Sequence, residues 1–388
     1  MAWASLYKRI LPSPPAIELA AAQGKKLFEE ALQNGTVEGF FKLHSSCQTQ
    51  SEFAFCGLAS LSMVFNALAI EPPRLHKGAW RWWDDSMFDC WVPLDKVMGK
   101  GLPFKKAVSV ARCAGANVEA FYSNKSSIDD FRKCIMSCTS SDKSHMITSY
   151  HRPTLSQTGK GHYSPIGGYH AGRDMVLILD VARFKYPSHW IPLTLLWKAM
   201  NTIDGTTRGF MIVSKPPKTP SLLNIWSCRY ESWLDVANYL MDDVPVNLQS
   251  SNVTNVQEVL SLIFTSFPTS FAKIIEWIEL RGQTGPEIKV FLGSKEQVLE
   301  QVRETELFKH MVMVDRSQIW REVQTIFFLS LPPQTWSGIK DENLLQEIYS
   351  LFSLDELPHM LREEVLNLRG ELDRLKICQM EKYNNLAD

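Results

Sequence analysis

Several features are missing from this sequence, and each absence excludes something. No apolar run reaches the ~18 residues that a membrane-spanning helix requires, so an integral membrane protein is not expected. The net charge is only −1, from 41 basic and 42 acidic residues, so no charge excess draws the chain to nucleic acid or to an anionic bilayer. The first twenty residues carry a basic pair without a continuous apolar stretch behind it, and early prolines interrupt them. A cleaved signal peptide is therefore not expected. None of the eight cysteines forms a Cys-x-x-Cys pair, which removes the simplest zinc cage. Without a secretion signal, reduced thiols in the cytoplasm are the expectation. Internal repeats and low-complexity tracts are absent as well.

What remains is 388 residues, 45% hydrophobic and 21% charged, enough to bury a core and to form two domains. The clearest break is Lys215-Pro216-Pro217-Lys218-Thr219-Pro220, which neither a helix interior nor a central strand accommodates. Upstream, Gly209 to Val213 reads as a strand closing a domain. Downstream, Val256 to Leu280, interrupted at Pro268, and Arg362 to Tyr383 carry helical spacing. The expected domains are 1–220, of mixed helix and strand, and 221–388, mostly helical. Near the end, Leu361, Val365, Leu368, Leu372 and Leu375 make a heptad seam too short for a coiled coil, which suits a helix packed on its own domain better than a zipper.

The front half holds the chemistry. Cys56 leads directly into an amphipathic stretch from Leu58 to Ile70. At a helix start, free backbone N–H groups and the dipole favour a thiolate, the nucleophilic form. Gln50 lies six residues earlier, the spacing at which papain-like cysteine peptidases place an oxyanion-hole amide. A buried structural cysteine is the competing explanation, because free cysteine is among the most buried residue types. Further on, Gly161 to Tyr169, a turn near Ala171 and the apolar run Met175 to Leu179 read as a β-hairpin. Centred near Ala171, the hairpin places His162 opposite Asp180, with Cβ atoms ~5 Å apart. A carboxylate there would fix the imidazole's tautomer. The competing reading is a histidine satisfied in the core and an aspartate bonded to a loop. Trp80, Trp82, Trp83 and Trp91 crowd a short acidic segment and are read as packing.

At these residues the sequence resembles the plant phytochelatin synthases, papain-like γ-glutamylcysteine dipeptidyl transpeptidases. The strings ASLYKRILPSPPAI, EGFFKLHSSCQTQSEFAFCGLASLS, WRWWDDSMFDC, IDDFRK, GHYSPIGGY and LILDVARFKYPSHW carry the resemblance over nearly all of residues 1–215. It implies an α+β fold, in which a helix bears the cysteine and an antiparallel sheet bears the histidine and aspartate. It places the nucleophile at Cys56, the base at His162, the orienting acid at Asp180 and the oxyanion amide at Gln50. The chain departs from the family pattern at Ala54 and Phe55, where proline and tyrosine are usual, and at Trp91, where a second cysteine is frequent. Its back half looks short and holds only Cys228 and Cys378.

The resemblance further implies glutathione as donor, a γ-glutamylcysteinyl thioester on Cys56, release of glycine, and phytochelatins as products of heavy-metal detoxification. No organic cofactor is implied. A Cd²⁺ or Zn²⁺ bis-thiolate of glutathione would bring the activating metal in with the acceptor. Glutathione carries two carboxylates, so Arg183, Tyr186 and Arg208 are candidate substrate contacts, with a surface ion pair as the competing explanation for an arginine. Cys90, Cys113, Cys134 and Cys138 are candidate metal ligands, against a reading as small buried hydrophobes or free thiols. Thr49, three residues before Glu52, is a candidate phosphorylation site. A homodimer stays open. Competing functions are a peptidase that removes glycine from glutathione or its S-conjugates, and a metal-thiolate sensor without turnover.

Overall fold

The computed structural model describes residues 10–72, 76–77, 80–216, 235–272, 275, 288–311 and 317–384. The chain separates into two compact units, Met1–Pro217 and Lys218–Asp388.

The first unit is built on a seven-stranded antiparallel sheet. Its strands are β1 (Ile17–Glu18), β2 (Asn117–Tyr122), β3 (Ser144–His151), β4 (Gly161–His170), β5 (Met175–Ile178), β6 (His189–Pro192) and β7 (Gly209–Ser214), in the order β1-β6-β5-β4-β3-β7-β2. The strand expected to close the domain, β7, pairs on one side with β3 and on the other with β2. Strands β3 and β4 are buried along nearly their whole length, as expected of central strands covered on both faces.

Helices α1 (Ala22–Gln33), α2 (Phe40–Ser45), α3 (Cys56–Ala67), α4 (Leu94–Lys100), α5 (Phe104–Cys113), α6 (Ile128–Thr139) and α7 (Leu193–Met200) complete the unit. In α3 every residue from Cys56 to Phe65 is buried. Its sequence, CGLASLSMVFNA, is apolar or small all round, the composition of a helix enclosed by its own core. The helix expected to run to Ile70 ends at Ala67, and Ala69 then takes φ 50°, which turns the chain away. A capping box, Ser127 with Asp130, starts α6.

The second unit is helical in every described element: Val244–Ser250, Val256–Thr265, Ile288–Arg303, Glu306–His310, Gln318–Leu329, Glu342–Leu351 and His359–Asn384. The helix that begins at Val256 ends at Thr265, three residues before Pro268, which disfavours helical geometry in its predecessor. Leu361, Val365, Leu368 and Leu372 are buried in this unit's own core, so the heptad seam is used internally; the Leu375 side chain lies outside the described residues. Among the described residues, no helix is long and apolar enough to cross a membrane.

Candidate active site

Cys56 opens α3. The chain reaches it through the turn Ser51–Phe55, closed by the Phe55 N–H on the Glu52 carbonyl at 3.1 Å. Gly57 follows it, and a Cβ there would lie 3.2 Å from the Leu102 side chain and 3.4 Å from the Tyr163 ring, so any larger residue would crowd both. Glycine thus lets the helix start sit hard against β4. The Tyr163 and Gly57 backbone N–H groups both donate toward the Cys56 sulfur. The lowered thiol pKa expected of a helix start is not found in the resting protein. Burial pushes the Cys56 thiol up, and it outweighs these two donors and the nearby Arg152 cation.

His162 stands on β4, one residue before Tyr163. Its Nε2–H donates to Asp180 Oδ1 at 2.8 Å, which leaves Nδ1 as the basic nitrogen. The pair is as the sequence expects, but the register is not. The hairpin pairs His170 with Met175 and Gly168 with Leu177, and a bulge at Gly167 moves the pairing to Ile166 with Ile178. The cause is the short 3-10 turn Ala171–Arg173 and the left-handed Asp174, which shift the hairpin centre beyond Ala171. His162 and Asp180 are therefore not directly opposite. Strand β5 ends at Ile178, and the Asp180 carboxylate returns to the imidazole while also accepting the Ala182 N–H at 2.8 Å.

The sequence reading missed Arg152, which lies just past β3. Its buried Nη2 donates to both Asp180 oxygens, at 2.9 and 2.8 Å, and its Nη1 donates to Gln157 Oε1 at 2.6 Å. The Gln157 amide in turn donates to His189 Nε2 at 3.0 Å, and His189 Nδ1–H to the Pro187 carbonyl at 2.7 Å. The row His162–Asp180–Arg152–Gln157–His189 is thus buried, with a donor facing an acceptor at every junction. Nothing in sequence spacing marks Arg152, which is 28 residues from Asp180. Burial alone would raise the Asp180 carboxyl, but its interactions with the His162 ring, including the hydrogen bond, and with the Arg152 cation outweigh it and hold it well below the usual range. Burial pushes His162 down to about 4, with Arg152 adding to the effect and Asp180 opposing it.

His145 behaves alike: burial, reinforced by Lys42, pushes it down to about 4. Both rings stay neutral when folded, whereas an unfolded histidine takes up a proton below ~6.5. Their contribution is complete above that pH and is lost as pH falls toward 4. Between pH 6.5 and 5 this amounts to about 2 kcal/mol for each ring. The urea midpoint should accordingly fall clearly between pH 7.5 and 5; a flat midpoint would contradict the neutral burial of these rings.

Gln50 is buried, and its backbone N–H donates to the Val181 carbonyl at 3.0 Å, one residue beyond Asp180. Its side-chain Nε2 donates to the carbonyls of Glu52 and Phe53 at 2.7 and 2.8 Å. In the resting protein the amide hydrogens therefore rest on the loop that leads to Cys56.

The candidate substrate contacts divide. Arg183 lies on the surface loop after Asp180, with Nη1 donating to the Cys47 sulfur at 2.8 Å. Arg208 is buried and grips Asp204 at 2.8 and 2.6 Å, while its Nε has no partner. Tyr186 corrects the expectation. Its ring is buried 5.2 Å beneath the Arg152 guanidinium, and its hydroxyl accepts the Thr158 N–H at 2.9 Å, so it supports the row from below instead of facing a ligand.

The four candidate metal cysteines fall into different classes. Cys134 and Cys138 are free thiols one turn apart on α6, the first half-buried and the second buried with its sulfur 3.6 Å from Ser144 Oγ. Cys113 is disulfide-bonded, which corrects both its reading as a thiolate ligand and the expectation of uniformly reduced thiols. The Cys90 side chain lies outside the described residues, as does Cys228. Among the described residues, no group of three or more His, Cys, Asp or Glu side chains could hold a metal ion. Thr49 is exposed beside Gln50. Of the tryptophans, Trp83 is fully buried, while Trp80 and Trp82 are exposed, so the packing reading holds for only part of that segment.

Comparison with known proteins places the chain among relatives. A family model described as phytochelatin synthase matches residues 6–210, and a second, described as a domain of unknown function, matches 228–321 and 317–372. Glutathione gamma-glutamylcysteinyltransferase 1 of Lotus japonicus is 45% identical over an alignment of 493 positions, covering 99% of this chain and 98% of the relative. The enzymes numbered 1 and 2 of Arabidopsis thaliana are 45% and 47% identical, each alignment covering 98% of both chains. With a cysteine at a helix start, a histidine–aspartate pair on the adjoining antiparallel sheet and relatives along its whole length, this chain belongs to the phytochelatin synthase family.

Proposed function

We propose that this protein is a glutathione γ-glutamylcysteinyltransferase that builds phytochelatins, with Cys56 as nucleophile. The observation that carries this reading is the junction of α3 with β4. A cysteine sulfur there receives two backbone N–H groups, one of them from Tyr163, the residue after a histidine whose tautomer is fixed by a carboxylate. Cys56 loses its proton to His162 Nδ1 and attacks the carbonyl of the Cys–Gly peptide bond of glutathione. The Cys56 N–H and the Gln50 amide stabilise the oxyanion once that amide leaves the Glu52 and Phe53 carbonyls. His162 then protonates the departing glycine, and a γ-glutamylcysteinyl thioester remains. The α-amino group of a second glutathione or of a growing phytochelatin, deprotonated by His162, attacks the thioester and frees Cys56. The product gains one γ-Glu-Cys unit.

The resting pair of thiol and neutral imidazole suits this cycle. Burial disfavours either charge alone, while ionising the two together creates a thiolate and an imidazolium that compensate each other. Arg208 supports a carboxylate contact through its unpartnered buried Nε, and Arg183 through its place at the surface after Asp180. A Cd²⁺ or Zn²⁺ thiolate of glutathione acts as acceptor substrate, its soft sulfur ligands matching these cations. We place the reaction in the cytoplasm, where the nucleophile Cys56 stays a free thiol, with the Cys113 disulfide as an exception to that reducing setting.

Mass spectrometry after incubation with glutathione and Cd²⁺ tests the reading. The expected product is a ladder spaced by γ-Glu-Cys. Free glycine with γ-Glu-Cys and no ladder would show that water captures the thioester and make the protein a peptidase. No turnover with any metal would leave a thiolate-binding protein.

A further inference from the structure

The acidic aromatic segment ahead of α4 contributes more than packing at one residue. Trp83 is fully buried, its ring 5.0 Å from Phe65 of α3 and 4.8 Å from Phe88. Its Nε1 donates to the Ile70 carbonyl at 2.7 Å, and its backbone N–H and C=O both bond the Asn66 amide at 2.9 Å. Trp83, two residues before Asp85, is therefore fastened to the far end of the helix that Cys56 begins.

From this base the buried Asp85 carboxylate reaches Ser51. Oδ2 accepts the Ser51 N–H at 2.8 Å and Oδ1 accepts its hydroxyl at 2.9 Å. Ser51 follows Gln50, whose own N–H is fixed on Val181. Gln50 is thus held between two anchors, one beside Asp180 and one on the aromatic base. A carboxylate accepts at both oxygens, so it can take both hydrogens of Ser51 without rearrangement, whereas an asparagine offers one acceptor and one donor. The arrangement has a cost, since burial pushes the Asp85 carboxyl up and the two Ser51 bonds only partly draw it back.

We propose that Asp85 is a positioning residue of the acyl transfer: by fixing Ser51 it sets the Gln50 amide relative to the start of the Cys56 helix. This rests on the oxyanion reading of Gln50. Asp85 acts through Gln50 and touches no substrate.

A double-mutant cycle separates the two ideas, with glycine release from glutathione and Cd²⁺ as readout. Gln50→Ala is expected to lower kcat by about 10²-fold, as for loss of one oxyanion donor. Asp85→Ala should lower kcat by ~10- to 100-fold with KM changed by less than about threefold, since sub-ångström misplacement acts on the transition state. Asp85→Ala added to Gln50→Ala should then cost nothing more. The rate of Cys56 alkylation by iodoacetamide should stay within about twofold in the Asp85 variant, which shows an intact helix start. Asp85→Asn and Ser51→Ala should give smaller losses, equally silent in the Gln50→Ala background, and they serve if Asp85→Ala does not fold. Full additivity of Asp85→Ala with a crippled Gln50→Ala, or wild-type kcat in Asp85→Ala, would overturn the role of Asp85 alone. Wild-type kcat in Gln50→Ala would overturn the oxyanion reading and this inference with it.

Discussion

Cys56→Ser abolishes glycine release and ladder formation together, with kcat falling on the order of 10⁴-fold or more, as when the nucleophile of a catalytic unit is removed. A serine hydroxyl at this position would meet the same two N–H donors, but its proton is far harder to remove and burial raises that barrier further. The fold should barely register the change. Oxygen for sulfur is a small volume loss at one site of a core that includes Leu58, Leu61 and Tyr163, and the stability loss should stay near ~1 kcal/mol. Acid-quenched wild-type protein exposed to glutathione should carry a γ-glutamylcysteinyl adduct on the Cys56 peptide, and the serine variant should not. An adduct on another cysteine, or a ladder from Cys56→Ser, would remove Cys56 from the mechanism.

Replacing Arg152 with glutamine should produce the second large effect, on stability and on pH dependence at once. The guanidinium is the buried cation that faces Asp180, and its removal leaves a carboxylate without its charge partner. Breaking a buried ion pair in this way costs about 3–5 kcal/mol. The Asp180 carboxyl should then rise from its depressed value. His162 should rise as well, because it loses the cation that disfavours its protonation. The other groups facing His162 are Asp180, the more distant Lys185 and the Tyr150 ring at 5.7 Å, and none replaces that cation. A base with a higher pKa is protonated at higher pH, so the acid limb of kcat/KM should move upward. Arg152→Lys should restore the limb but only part of the stability, since an ammonium cannot bond Asp180 and Gln157 in one plane. Urea denaturation and a pH–rate profile measure both effects. An unmoved acid limb, or a loss under ~1 kcal/mol, would show that Arg152 does not tune this row.

Much of the site was legible in the sequence because its parts are local. A small-residue helix led by Cys56 and Gly57, a glutamine six residues earlier and an apolar strand ending before Asp180 are short-range patterns, and short-range sterics decide them. The His162–Asp180 pairing was reached through a register that is wrong in detail. The 3-10 turn and the Gly167 bulge move the strands, yet a carboxylate just past the strand end still reaches the ring. Tyr186 illustrates the opposite case, where nearness in sequence to Asp180 suggested a ligand contact and the side chain turned inward beneath Arg152.

By itself, then, the sequence determined that a cysteine begins a helix, that a histidine on a β-hairpin has an aspartate partner near the end of the next strand, and that a proline-rich break precedes a helical second half. Periodicity, turn chemistry and helix-start chemistry are properties of neighbours along the chain. Tertiary structure alone decided that Arg152 neutralises Asp180, that Asp85 holds the Gln50 loop, and that burial overrides the helix start at Cys56. Each of these depends on which distant groups share a water-excluded space, and charge, hydrogen bonding and desolvation acquire their magnitudes only once folding has closed that space.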